Sequence, residues 1–290
     1  MAPIPQSSAL AFLQGRAHLG QGSWNLGQGR RPLKTEVLAL CTGLKLGLSV
    51  IDTAEMYGDG LSEELIGELL RQHRADNTGN DNTHPPFIVS KVLPHHASRR
   101  DVPRAFEASR QRLGVDKIDL YLLHWRGNTP LAETVEALEE LCMAGKIGRW
   151  GVSNFDTADM QELWQVPQGL NCAVNQVLYN VRSRGIEYDL LPWCAEHGVG
   201  VMAYCPLGHR ELIEDSMLLE IADKHDVSTT AVALAWVMRS GQVIAIPESG
   251  FAGHVQANAE ALELQLDAQD LALIDATSPP PEYKEALDIL

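Results

Sequence analysis

The sequence predicts an α/β fold: a closed (β/α)8 or TIM barrel with a short N-terminal hairpin plug, forming one domain over residues 1–290. Three observations carry this. About eight apolar, strand-like runs alternate with helical stretches along the chain, the rhythm of parallel strands joined by crossover helices. Polar residues recur at the C-terminal ends of those runs, the edge at which a barrel gathers its functional side chains. The other architecture with this rhythm, an open doubly wound sheet, would announce a dinucleotide site by G-x-G-x-x-G just after its first strand. Here that strand is followed by Thr53-Ala54-Glu55, and Gly20-Gln21-Gly22-Ser23-Trp24-Asn25 precedes any helix and lacks the third glycine.

The first thirty residues are rich in Gly and Gln and read as a hairpin or plug. Val37, Leu38, Cys41 and Leu44 then follow helical spacing, Gly47 stops that helix, and residues 48–52 form a buried strand. Ser62 is expected to cap the next helix, with Glu63 and Glu64 in its first turn and Leu65, Ile66, Leu69 and Leu70 on one face. Residues 75–86, dense in Asn, Asp, Thr and Gly, read as a surface loop before a strand at 87–91. Asp101 opens a helix that Gly114 stops, and residues 118–124 form a third strand. Thr129-Pro130 has the N-cap and first-turn pattern of a helix with Val135, Leu138, Leu141 and Cys142 inward and Gly145 at its end. Further strands are expected at 149–153, 173–176, 198–204 and 243–247, with helices clearest at 186–197 and 229–239. A weak last strand at 259–263 precedes a helix from Asp267.

Composition narrows the class. With 45% apolar residues and no 18-residue apolar run, the chain reads as globular, with a sizeable core and no membrane partner. Its formal net charge of −15 at pH 7 sets long-range repulsion against nucleic acid and anionic membranes but leaves room for a local basic pocket. Cys41, Cys142, Cys172, Cys194 and Cys205 show no C-x-x-C spacing and read as buried thiols of a reducing compartment. The start, Met1-Ala2-Pro3-Ile4-Pro5, lacks the basic region and long apolar stretch of a signal peptide. Cytoplasm is the expected location, and a monomer the expected state. No metal is expected, because His95-His96 has no carboxylate or further His at ligand spacing.

The polar strand ends are Asp52, Lys91, His124, Ser153-Asn154, Gln176, Tyr204 and Ser249. Singly, each has a structural reading: Lys91 can run out to solvent and His124 can be a satisfied core histidine. In a barrel all these ends open on one face, and their coincidence favours a common role. Asp52, Tyr57, Lys91 and His124 make sense as a proton-donating device. A free phenol has a pKa of about 10, and lowering it by about 3 units takes about 4 kcal/mol of differential stabilisation, which a neighbouring ammonium can supply. Asp52 is expected to hold Lys91 charged, Lys91 to acidify Tyr57, and neutral His124 to hydrogen-bond the substrate oxygen. Such a set protonates an oxygen that gains negative charge as hydride adds to a carbonyl carbon, the hydride coming from a cofactor.

Seven stretches, in order, carry a resemblance: Asp52-Thr53-Ala54-Glu55-Met56-Tyr57-Gly58, Val89-Ser90-Lys91, Leu122-Leu123-His124-Trp125, Gly145-Lys146-Ile147, Gly151-Val152-Ser153-Asn154-Phe155, Asn175-Gln176 and Ala203-Tyr204-Cys205-Pro206-Leu207-Gly208. The chain resembles the aldo-keto reductase family from about Gly20 to Asn258, and is most similar to its bacterial methylglyoxal reductase-like members. The resemblance implies a barrel that binds NADPH without a Rossmann motif and reduces small aldehydes and ketones. It implies Tyr57 as acid, completed by Asp52, Lys91 and His124. Ser153, Asn154 and Gln176 would hold the nicotinamide carboxamide, and Tyr204 would stack on the ring. Gly22, Ser23, Trp24 and Asp52 would also line the cofactor. Cys205, Pro206, Leu207, Gly208 and Arg210 would follow the pyrophosphate. Trp24 and Trp125 would wall the substrate beside Tyr57 and His124, although either tryptophan could equally pack at the rim.

The adenosine end departs from the family pattern. Ile246-Pro247-Glu248-Ser249, then His254 and Ala257-Asn258, stand where many members have Ile-Pro-Lys-Ser, an arginine and Glu-Asn. A carboxylate repels a phosphate but accepts from ribose hydroxyls, so NADH is expected as a possible cofactor beside NADPH. Alternatively Glu248 swings into solvent while Ser249, His254 and the backbone bind the phosphate. The connection from Leu207 to Met217 is short for a clasp over the pyrophosphate, and the tail after Ser278 is expected to leave the pocket largely unroofed. Two other functions stay open: a Schiff-base enzyme using Lys91, and a nucleotide-sensing subunit with little turnover.

Overall fold

The computed structural model describes residues 8–76, 85–208 and 212–290. The apolar runs become short parallel strands: β1 (Gln21–Gly22), β2 (Val50–Asp52), β3 (Phe87–Val92), β4 (Ile118–Leu123), β5 (Ile147–Ser153), β6 (Val174–Leu178), β7 (Gly200–Tyr204) and β8 (Val243–Ala245). They pair parallel in sequence order in one eight-stranded sheet. Most of their residues are buried, because one face points into the barrel and the other lies under helices. The sheet also closes on itself. Gly20 N–H donates to Ala245 O at 2.8 Å, Gly22 N–H to Pro247 O at 2.9 Å, and Ala245 N–H to His18 O at 2.9 Å. Closure satisfies backbone groups that an open edge would leave unpaired.

Two apolar clusters result. Inside the barrel, Val50, Val89, Leu120, Leu122, Val174, Met202 and Ile244 pack together. Leu10 and Leu13, from a 3-10 turn at Ser8–Leu13, join that cluster beside Phe87, so the N-terminal segment does plug the barrel, at its N-terminal end. The larger cluster lies between strands and helices, with Ile66, Leu69, Phe106, Leu138, Trp150 and Trp236 among its members.

The outer layer comprises α1 (Leu33–Lys45), α2 (Leu61–Asp76), α3 (Val102–Leu113), α4 (Leu131–Met143), α5 (Thr157–Gln165), α6 (Leu190–His197), α7 (Ser216–His225), α8 (Thr229–Met238), α9 (Ala252–Ala259) and α10 (Ala268–Thr277). Local chemistry sets their ends. Asp156 and Asp267 form capping boxes with Asp159 and Asp270, and the Ser228 hydroxyl accepts from Ala231 N–H. Gly114 closes α3 at φ +63°, a left-handed position that suits a residue without Cβ. Among the described residues no helix is long and apolar enough to cross a membrane.

Four local expectations are overturned. The first thirty residues form no hairpin: Gln21–Gly22 is the first barrel strand, parallel to β2. Residues 259–263 are not a strand but the end of α9 and a 3-10 turn at Glu260–Leu262; the run is too short and too acidic to hold a place between neighbours already paired. Ser62 lies inside α2, not at its N-cap, and its hydroxyl donates to Ser23 O at 2.8 Å. Leu38 is 58% exposed, on the outer face of α1. Residues 77–84 of the expected loop lie outside the described residues.

The closing seam is closely packed. A Cβ at Gly20 would stand 2.8 Å from Val50 O and 3.2 Å from Ile246 Cγ2. Gly20→Ala should therefore lower stability by about 1–3 kcal/mol. Urea unfolding checks this, and a midpoint equal to that of the parent protein would show that the seam tolerates the methyl group.

Candidate active site

Three neighbouring strands deliver three of the central side chains. Asp52 ends β2, Lys91 lies near the end of β3, and His124 follows β4; Asp52 pairs with Val89 and Lys91 with Leu122 across the sheet. Tyr57 opens a tight turn after β2 in which Gly58 and Asp59 both take positive φ, folding the chain back over the barrel mouth.

Lys91 is fully buried and uses all of an ammonium's three donors. Nζ donates to Asp52 Oδ2 at 2.7 Å, to Thr53 O at 2.9 Å and to the Tyr57 hydroxyl oxygen at 3.0 Å. The other oxygen of Asp52 accepts from Gln176 Nε2 at 2.8 Å. A buried ion pair is tolerable only when its remaining lone pairs and protons are satisfied in this way. Burial pulls the Lys91 pKa down, and the Asp52 carboxylate pulls it back up. This Nζ has no donor or lone pair left for Schiff-base attack, and Lys91 is not among the cavity-lining residues. The Schiff-base reading loses its nucleophile.

Tyr57 departs from expectation. Its pKa is raised well above the usual phenol value, chiefly by burial and then by the negative field of Asp52. Burial, and after it the Asp52 carboxylate, outweigh the pull of the neighbouring ammonium. The phenol oxygen accepts from Lys91, so the hydroxyl hydrogen has to point elsewhere. His124 is neutral: burial first, and Lys91 second, depress its pKa to about 3. Its ring meets that of Tyr57 edge-on at 5.7 Å. His124 Nδ1 is buried with no hydrogen-bond partner among the described residues, an uncommon state for a buried polar atom.

One cavity of about 760 Å3 collects most of the expected site. Asp52, Tyr57, His124 and Trp125 line it with Gly22, Ser23 and Trp24, with Ser153, Asn154, Gln176 and Tyr204, with Cys205, Pro206, Leu207 and Gly208, and with Ile246 and Glu248. Trp24 and Trp125 are 42% and 37% exposed, consistent with a place at the mouth. Ser249, His254 and Asn258 lie beyond it, on the segment from β8 through α9. Arg210 lies outside the described residues, as does part of the Leu207–Met217 connection.

The amide-bearing residues suit a primary carboxamide, which offers one acceptor and two N–H donors. Ser153 Oγ donates to Gln176 O at 2.8 Å, leaving its lone pairs free to accept. Gln176 is tied to Asp52 through Nε2, leaving Oε1 as an acceptor. Asn154 sits at φ +57°, accepts from the Tyr204 hydroxyl at 2.8 Å, and spends one N–H on His124 O at 3.3 Å. Two acceptors and one spare donor remain, the complement of a nicotinamide carboxamide. Ser23 differs: its hydroxyl donates to Asp52 O at 2.8 Å and serves the barrel wall.

Two corrections concern the rim. Glu248 does not turn into solvent; its Oε2 accepts from Asn25 N–H at 2.8 Å and from Asn25 Nδ2 at 3.1 Å. Burial raises the Glu248 pKa, while the Asn25 hydrogen bonds and then the charges of Arg31 and Arg30 work against it. The tail does reach the pocket, which Ile289 and Leu290 help to line. Lys284 pairs with Asp189 at 3.0 Å, and the Ser183 hydroxyl donates to Asp288, holding the tail in place. Asn25 and Met56 also line the cavity. Adjacency to Trp24 and Tyr57 was a usable signal for those two, whereas nothing local marks Ile289 or Leu290.

Comparison with known proteins points to one family. The model of the aldo/keto reductase family matches residues 18–216 and 210–279. Methylglyoxal reductase YeaE of Escherichia coli strain K12 is 48% identical over 277 residues, 94% of each chain. Glyoxal reductase of Bacillus subtilis strain 168 is 33% identical over 80% of each chain. Among solved structures, an aldo/keto reductase from Klebsiella pneumoniae in complex with NADP and acetate superposes with a TM-score of 0.89 and 46% identity, covering 95% of this chain and 96% of that one.

The depressed basicity of His124 is directly measurable. In imidazole NMR spectra assigned with His124→Gln, its ring should stay neutral from about pH 8 to about pH 5, since its pKa lies at about 3. A titration centred near 6.5, the value of about 6.5 for a free imidazole, would contradict the buried, cation-facing environment.

Proposed function

The chain belongs to the aldo/keto reductase family, and we propose that it reduces small aldehydes and ketones, methylglyoxal-like compounds among them, to alcohols with NADPH. The observation that carries the residue assignments is the threefold donation of Lys91 to Asp52, Thr53 and Tyr57. When bound, the reduced nicotinamide supplies the hydride.

The chain's own residues do the rest. Ser153, Asn154 and Gln176 orient the carboxamide through the two acceptors and one donor described above, and Tyr204 offers its ring face. Trp24 and Trp125 wall the carbonyl compound. Neutral His124 donates a ring N–H to the carbonyl oxygen without adding a charge that would repel Lys91. Tyr57, a phenol across the working pH range, delivers its proton as negative charge grows on that oxygen. Lys91 then faces the phenolate at hydrogen-bond distance, where its charge counts most. Asp52 and Gln176 keep Lys91 in place throughout.

Four supporting readings complete the proposal. One eight-stranded sheet runs from Gln21 to Ala245, which supports a single barrel domain over residues 1–290. Of the cysteines expected to be buried, Cys172 and Cys194 are and Cys41, Cys142 and Cys205 are only half-buried; all five are free thiols, which suits the reducing cytoplasm. The acidic net charge of −15 disfavours nucleic acid as a partner. One copy of the chain carries every side chain assigned above, so the proposed chemistry needs no residue from a second subunit.

Tyr57→Phe tests the central assignment. It should lower kcat for methylglyoxal reduction by at least about 100-fold, the lower bound for loss of a general acid, while NADPH binding by fluorescence stays within about twofold of the parent, a difference of about 0.4 kcal/mol. Retained turnover would remove Tyr57 from the role of acid.

A further inference from the structure

The segment expected to receive the adenosine end, Ile246 to Asn258, contains no Lys or Arg. Its inner acid, Glu248, is committed to Asn25. A phosphate monoester carries close to two charges, and a serine hydroxyl with an exposed histidine is a thin counterpart for it.

A cation reaches this loop from elsewhere in the chain. Arg31, in the turn just before α1, lies against the loop after β8. Its guanidinium carbon stands 5.0 Å from the centroid of the Phe251 ring. A Cβ at Gly250 would meet Arg31 Cδ and Nη1 at 3.0 Å each, so a side chain there would push the arginine back by a few tenths of an ångström. Phe251 in turn packs edge-on against His254, with ring centroids 5.5 Å apart. The Arg31 side chain is 29% exposed; its Nη1 is buried 3.8 Å from Glu36 Oε1, with no hydrogen-bond acceptor among the described residues. Glu36 is itself fixed by Gly27 N–H at 2.9 Å.

We propose that Arg31 is the residue that selects the 2′-phosphate of the cofactor, a guanidinium brought to the β8–α9 loop from the turn before α1. This rests on the reading that the loop after β8 receives the adenosine end. The planar fork of arginine matches a phosphate bidentately, and Phe251 supports one face of it. Glu248 is tied to Asn25 while Arg31 lies against Gly250 and Phe251, so acid and base occupy different parts of the site. Phosphate selectivity then survives the acid at position 248.

Equilibrium binding of NADPH, NADH, 2′,5′-ADP and 5′-ADP to the full chain, followed by tryptophan fluorescence or calorimetry, tests this. Arg31→Gln should weaken NADPH and 2′,5′-ADP by about tenfold or more, as expected for loss of a charge-assisted hydrogen bond, and leave NADH and 5′-ADP within about twofold. Gly250→Ala keeps the charge but displaces it, and should lower the NADPH-to-NADH affinity ratio in the same direction. Equal weakening of all four ligands, or an unchanged ratio in both variants, overturns the proposal. A double variant, Ser249→Ala with His254→Gln, separates the two levels. If it shifts the ratio and Arg31→Gln does not, only the role of Arg31 falls; if neither does, the placement of the adenosine end falls with it.

Discussion

One buried ammonium organises the site. Lys91 Nζ has three donors, and Asp52, Thr53 and Tyr57 take all of them. Because the Tyr57 oxygen accepts, its own hydrogen cannot lie along that contact. Because burial, and then the charge of Asp52, raise its pKa, Tyr57 remains a phenol until an external oxygen begins to charge. The barrel makes this possible: β2, β3 and β4 are adjacent and in register, and closure at the β1–β8 seam fixes the rim that faces them. Gln176 extends the network to the far wall through the second oxygen of Asp52. The part that orients the proton donor is thereby linked to the part suited to hold a carboxamide.

Much of this was legible in the sequence. The strands from residue 48 to residue 247 stand out because buried parallel strands are continuous apolar runs, and their polar C-terminal ends mark the mouth of the cavity. The first strand was not legible. Gln21–Gly22 is two residues long and has no apolar pattern; it is a strand only because β2 and the residues flanking β8 offer backbone partners on both sides. The false strand at 259–263 is the reverse case, an apolar alternation with no vacant neighbour. The acidity of Tyr57 was misjudged for a related reason. Sequence placed a cation beside the phenol, but the sign of the net effect depends on burial and on the distance from Lys91 to Asp52, and both belong to the folded chain.

The adenosine end shows the same division between local and long-range information. Glu248 reads from sequence as a repulsive substitution. In the fold it is tied to Asn25, while Arg31, more than two hundred positions earlier in the chain, lies on Gly250 and Phe251. No local pattern connects those segments. Barrel closure does, because the turn after β1 and the loop after β8 are neighbours across the seam. The tail behaves likewise, with Ile289 and Leu290 reaching the cavity through contacts that begin at Asp189 and Ser183.

The central claim is that Tyr57 waits as a phenol, its oxygen held by Lys91 and its proton free for the substrate. Phenolate absorbance, recorded as the difference between the parent protein and Tyr57→Phe from about pH 7 to about pH 10, measures that state directly. The account predicts no difference signal across this range, because burial raises the pKa of Tyr57 well above that of a free phenol. A phenolate signal with a midpoint near neutrality would contradict it, and would mean that Lys91 acidifies the tyrosine before any substrate arrives.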